Sequence, residues 1–71
     1  MQVTSQQTEK LLRGDHSFSQ LGFSMMMTRL KGMYAKDPSQ AALQKSMSEI
    51  NLFLDKFKSI MENDYAIIAK L

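Results

Sequence analysis

"LQKSMSEINLFL", residues 43–54, decides the fold. At helical spacing Leu43, Met47, Ile50 and Leu54 fall on one stripe, and Leu52 and Phe53 widen it. A stripe of this kind needs a counterpart. In a chain of 71 residues, it packs either inside a small bundle or along a seam between copies of the chain.

Toward the C-terminus nothing interrupts the pattern. No Gly or Pro occurs between Ser39 and Lys70, and the apolar stripe continues through Phe57, Met61, Ile68 and Leu71. The steps follow a heptad seam broken once, at Asp64. Phe53, Ile60 and Ile67 repeat every seven residues beside it. Lys45–Glu49 and Lys58–Glu62 pairs on the other face add a few tenths of a kcal/mol each. The spacing therefore predicts one long helix over residues 38–70, about 45 Å in length. Asp64 has two readings: a polar device fixing register between helices, or the point where the hairpin ends and the face turns to water.

Toward the N-terminus, "AKDPSQ" (35–40) is the clearest punctuation. A residue before proline is pushed out of the helical region, so the preceding helix should stop near Lys36. Asp37 then caps the next helix, with Pro38 at its first position and Gln40 completing the cap. The connection is short, which makes the two helices antiparallel neighbours. The first of them spans residues 17–36, capped by Asp15 or Ser17, with Phe23, Met27, Leu30 and Tyr34 on one face. Gly22 and Gly32 either weaken it or let another backbone approach closely. Met25, Met26 and Met27 together span about 200° of helix surface, so at least one is exposed on a lone hairpin.

Residues 1–14 have only Val3, Leu11 and Leu12 as apolar anchors. A short helix with a Glu9–Arg13 pair, ended by Gly14, is expected to stay frayed until a partner orders it. The fold class is thus all-α. It is an antiparallel helical hairpin with a longer C-terminal helix and a weakly ordered N-terminus, one domain over residues 1–71.

Composition narrows the function. A chain this short buries only about 60% of its unfolded surface and is marginal without staples or partners. No cysteine is present, which removes disulfides and thiolate metal sites, and His16 is the only histidine. The +2 net charge is mild and scattered, unlike the basic face of a nucleic-acid binder. No apolar run approaches the roughly 20 residues that cross a bilayer, and the N-terminus lacks the pattern of a cleaved secretory signal. Asp15, His16 and Ser17 are neighbours in sequence, which does not make a triad. Asp55, Glu62 and Asp64 sit among lysines and read as a solvated face rather than a metal site. The expectation is no enzyme and no cofactor.

"DPSQAALQKSMSEINLFL" and the terminal "AIIAKL" resemble the small filament subunits of bacterial type III secretion systems, the needle protein and the inner-rod protein. The family's helical pattern is matched by Leu43, Gln44, Ser46, Met47 and Ile50, followed by Asn51 and Phe53. Its apolar ending is matched by Ile67, Ile68, Lys70 and Leu71. The resemblance covers residues 37–71. It implies a hairpin turned at Asp37 and Pro38 that self-assembles around a protein-export channel. The assembly interface would be Leu43, Met47, Ile50, Phe53, Leu54, Phe57, Ile60, Met61, Ile67, Ile68 and Leu71. Gln44, Lys45, Ser48, Asn51 and Asp55 would face the channel. The chain would be made in the bacterial cytoplasm and exported without a cleaved signal, alongside other secretion-apparatus proteins or a chaperone. A helical co-chaperone of such a system, and an unrelated helical regulator, are the alternatives.

Overall fold

The structure, a computed structural model, describes residues 2–71. Four helices follow one another: α1 (Ser5–Arg13), α2 (Leu21–Lys36), α3 (Gln40–Phe57) and α4 (Glu62–Ala69), with a 3-10 turn at Lys58–Ile60 between the last two. No strand occurs among the described residues, so the chain is all-α.

The turn between α2 and α3 lies where the proline places it. α2 stops at Lys36, and Asp37 N–H closes it on Met33 O at 3.1 Å. The cap of the next helix is two residues later than the sequence suggests. Ser39, not Asp37, is the N-cap of α3, its hydroxyl accepting from Ala42 N–H at 3.1 Å. Asp37 serves the turn itself, taking Ser39 N–H on its carbonyl at 2.8 Å. Arg29 reaches Glu49 across the gap, while Met26 meets Phe53 and Met33 meets Lys45 along shared grooves, so α2 and α3 run antiparallel.

α2 also begins later than expected, at Leu21. Gln20 caps it by accepting from Phe23 N–H at 2.6 Å, and neither Asp15 nor Ser17 takes part. The extended stretch before it brings Phe18 edge-on to Phe23, with ring centroids 4.8 Å apart.

The N-terminal segment is a correction. Residue 1 lies outside the described residues, but the rest of the segment is built into the core. Thr4 and Gln7 form a reciprocal capping box, and α1 then packs against both α2 and α3. Val3, Thr8, Leu11 and Leu12 are all buried. Asn51 of α3 holds the segment's start, its Oδ1 accepting from Val3 N–H at 2.7 Å. Gly14 ends the helix as expected, its N–H bonding to Lys10 O. Four buried side chains in a short segment outweigh the ordering entropy that a polar composition suggested.

The single helix over 38–70 is the second correction. It breaks after Phe57, turns through Lys58–Ile60 and restarts at Glu62. The Cα trace extends only 31 Å along its longest axis, too short for a straight 45 Å rod. The break is stabilised by α4 itself. The Tyr65 hydroxyl donates to Leu54 O, in the last turn of α3, where carbonyls lack helical partners. Asp64 is fully buried and faces neither a register partner nor water. Its carboxylate accepts from Ser19 N–H, Ser19 Oγ–H and Gln20 N–H at 2.8–2.9 Å, just ahead of α2. Lys10 Nζ donates to Leu71 O at 2.8 Å and ties α1 to the end of the chain.

Candidate functional site

The predicted seam does not survive as a free surface. Leu43, Ile50, Leu54, Met61 and Ile68 are buried in the chain's own core together with Phe23, Met27, Leu30 and Tyr34. Met47, Phe53 and Leu71 are partly buried against that core, and Ile67 is intermediate. Of the eleven interface positions only Phe57 and Ile60 are exposed, at 38% and 63%. A short first helix was expected to leave the seam uncovered. α1 packs on α3 beside α2, and Ile68 of α4 joins the same core.

What stays exposed lies beside the seam. Leu21, Met25, Met33 and Leu52 join Phe57 and Ile60 as the large apolar side chains open to water. Four of the chain's aromatics lead from the core to this surface. Phe18 meets Phe23, Phe23 meets Phe53 at 5.5 Å between centroids, and Phe53 meets Phe57 at 4.6 Å. The absence of a side chain at Gly22 makes the arrangement possible, since a Cβ there would lie 3.2 Å from Phe53 Cζ.

Between α2 and α3 these residues border a groove of about 250 Å³, lined by Met26, Glu49, Leu52, Phe53, Lys56 and Phe57. Its walls are apolar and its rim carries one acid and one base. Arg29 Nη2 meets Glu49 Oε1 at 3.0 Å, so Glu49 pairs across to α2 rather than with Lys45 on its own helix. Leu52 stands out from the wall with 58% of its surface exposed. Of the methionine run, Met25 is exposed at 63%, Met26 lines this groove and Met27 is buried. The helix geometry required that division.

The five positions expected along a channel separate into two groups. Ser48, Asn51 and Asp55 line one shallow hollow with Gln2 and Leu52. Lys45 lines a different groove, between α2 and α3, with Ala41 and Glu49. Gln44 points back to α1, its Nε2 donating to Ser5 Oγ at 3.3 Å. Asn51 is already engaged with the backbone of Val3, which makes its role structural.

Elsewhere, polar side chains satisfy structural needs. Arg13 lies over the Tyr34 ring, 5.5 Å from its centroid, and pairs with Glu9 at 3.4 Å. The Tyr34 hydroxyl donates to the same Glu9. The contact with Tyr34, and then that with Glu9, raises the Arg13 pKa above its ordinary value. His16 stands 6.2 Å from Phe18 between ring centroids, at the end of the loop that Asp64 holds. Among the described residues no group of three or more His, Asp or Glu side chains could hold a metal ion. Among the described residues no helix is long and apolar enough to cross a membrane.

Sequence reasoning missed the groove because it took Leu52 and Phe53 only as widening the seam. The signal was present in Met26 and Leu52, apolar residues outside both buried stripes. The core role of residues 3–12 was also legible in part, through the Thr4-x-x-Gln7 spacing of a capping box. No protein-family model, curated protein or solved structure matches this chain.

Proposed function

We propose that this chain is a non-catalytic, self-associating structural subunit of a bacterial protein-export conduit, of the needle or inner-rod kind. The observation that carries the reading is an outer band of exposed apolar side chains on α2, α3 and the turn after α3. Leu21, Met25, Leu52, Phe57 and Ile60 remain open on a bundle whose core is already closed. Large apolar side chains left open on so small a protein support an interaction surface there. The resemblance of residues 37–71 to export subunits supplies the kind of assembly. The interface in this reading is the outer band, because the seam is occupied within the chain.

A second reading is a small co-chaperone that holds another export subunit. It is favoured by the closed core, since Ile50 and Leu54 are fully buried without any partner. Electron microscopy of the concentrated, purified chain separates the two. Filaments are expected for the subunit. A particle that stays small at every concentration, and that binds one export subunit at fixed stoichiometry, would replace the first reading with the second.

A further inference from the structure

The exposed face of α3 is self-complementary, and we infer that it binds a second copy of this chain across a two-fold axis, with the two α3 helices antiparallel. The inference rests on the reading of the chain as self-associating, and it names the contact.

The axis would pass midway between Leu52 and Phe53. Residues at equal distances on either side of that point then face each other across the interface. Glu49 and Lys56 are such a pair, each three and a half positions from the axis. Each carboxylate meets the partner's ammonium, and the symmetry repeats the pair. A parallel arrangement about a two-fold would instead set Glu49 against Glu49 and Lys56 against Lys56, with like charges opposed.

The side chains are available for this. Lys56 belongs to neither of the two ion pairs found among the described residues. Glu49 gives Oε1 to Arg29 and keeps Oε2 open. The 58%-exposed Leu52 is the knob, and the groove bordered by Met26, Phe53 and Phe57 is the hole it enters on the partner. Such an arrangement buries both apolar surfaces and pairs the charges that flank the axis.

Size sets the strength. A standard interface takes about 800 Å² from each partner, about a sixth of this chain's 4592 Å² surface. One face of α3 is roughly 27 Å long and 10 Å wide, so the contact is smaller than that. The dimer is therefore weak and forms reversibly with concentration.

Sedimentation equilibrium of the full chain over a wide concentration range tests this, with circular dichroism melts to confirm folding. Wild type is expected to pass reversibly from monomer to dimer. Leu52→Asp is expected to weaken the dimer more than tenfold with an unchanged melt, because the side chain is exposed in the monomer. Lys56→Glu sets like charges opposite each other twice and is expected to weaken it about tenfold. Mixing Lys56→Glu chains with Glu49→Lys chains is expected to restore association as a mixed dimer. A chain monomeric at all concentrations, a Leu52→Asp dimer of undiminished strength, or a mixture with no recovery would each overturn the inference. Filaments that form equally from wild type and Leu52→Asp would overturn the α3 contact and leave the export-subunit reading standing. A dimer that behaves as described and never grows further would support the contact and overturn the conduit.

Discussion

Asp64 caps the loop that leads into a helix to which it does not belong. Both carboxylate oxygens bind the turn ahead of α2, Oδ1 accepting from Ser19 N–H and Oγ–H and Oδ2 from Gln20 N–H. The side chain is fully buried, and no ion pair among the described residues includes it. Its compensation is three hydrogen bonds from Ser19 and Gln20, the last residues of the loop ahead of α2. Asp64 thus joins α4 to the loop that carries the chain into α2.

Asp64→Ala is expected to destabilise the protein by about 2 kcal/mol, because it removes three hydrogen bonds, two of them from backbone N–H groups, to a buried carboxylate. Asp64→Asn retains one good acceptor and turns an amide N–H₂ toward the remaining donors, so it should cost about 1–2 kcal/mol. Urea unfolding followed by circular dichroism gives both values. Equal midpoints for wild type and Asp64→Ala would refute the cap.

Neighbouring positions on α3 should behave oppositely. Ile50 is fully buried, so Ile50→Ala should cost about 3 kcal/mol and Ile50→Asp should unfold the chain. Leu52, exposed on the same helix, should tolerate Ala within about 0.5 kcal/mol in the monomer. Thermal melts at low concentration make the comparison. An Ile50→Asp chain that stays folded while losing only self-association would return the seam to the surface.

The glycines of α2 offer a finer test. Nothing lies within 4 Å of a Cβ built at Gly32, and Gly32→Ala should stabilise by about 1 kcal/mol. At Gly22 the same Cβ would come within 3.2 Å of Phe53 Cζ and of Gln20 Oε1, the capping oxygen of α2. Gly22→Ala should therefore gain less than Gly32→Ala, or lose stability. A larger gain at Gly22 would contradict the close approach of Phe53.

Tyr65 supplies a pH dependence. Burial, and secondarily the nearby Asp55 carboxylate, raise its pKa above the ordinary value of 10.0. The folded state therefore favours the neutral phenol, which also donates to Leu54 O. Its contribution is fully present below pH 10 and is lost as the pH rises through the raised pKa. Tyr65→Phe should cost about 1 kcal/mol at neutral pH. The gap between wild type and Tyr65→Phe should narrow above pH 10, as measured by denaturant unfolding across that range. A gap that widens there would reverse the assignment.

Helical structure, the turn at Asp37–Pro38 and the inward stripes of α2 and α3 could be read from the sequence. Periodicity and proline chemistry act through local geometry, and neighbours along the chain are enough to express them. The stripe of Phe23, Met27, Leu30 and Tyr34 is buried as the spacing implies. The break after Phe57 was not legible, since no Gly or Pro marks it. It arises from contacts between distant segments, Asp64 with Ser19 and Tyr65 with the end of α3.

For the candidate site, the sequence identified "LQKSMSEINLFL" as amphipathic and assigned its apolar face to other copies of the chain. Tertiary structure decided otherwise for that face. α1 and α2 pack against α3, and Ile68 of α4 joins the core that holds Ile50 and Leu54, because burying apolar surface within one chain carries no loss of translational freedom. Leu52, which had only widened the stripe, was left outside. A linear pattern determines which residues share a helix face; which faces find cover depends on where the rest of the chain can reach.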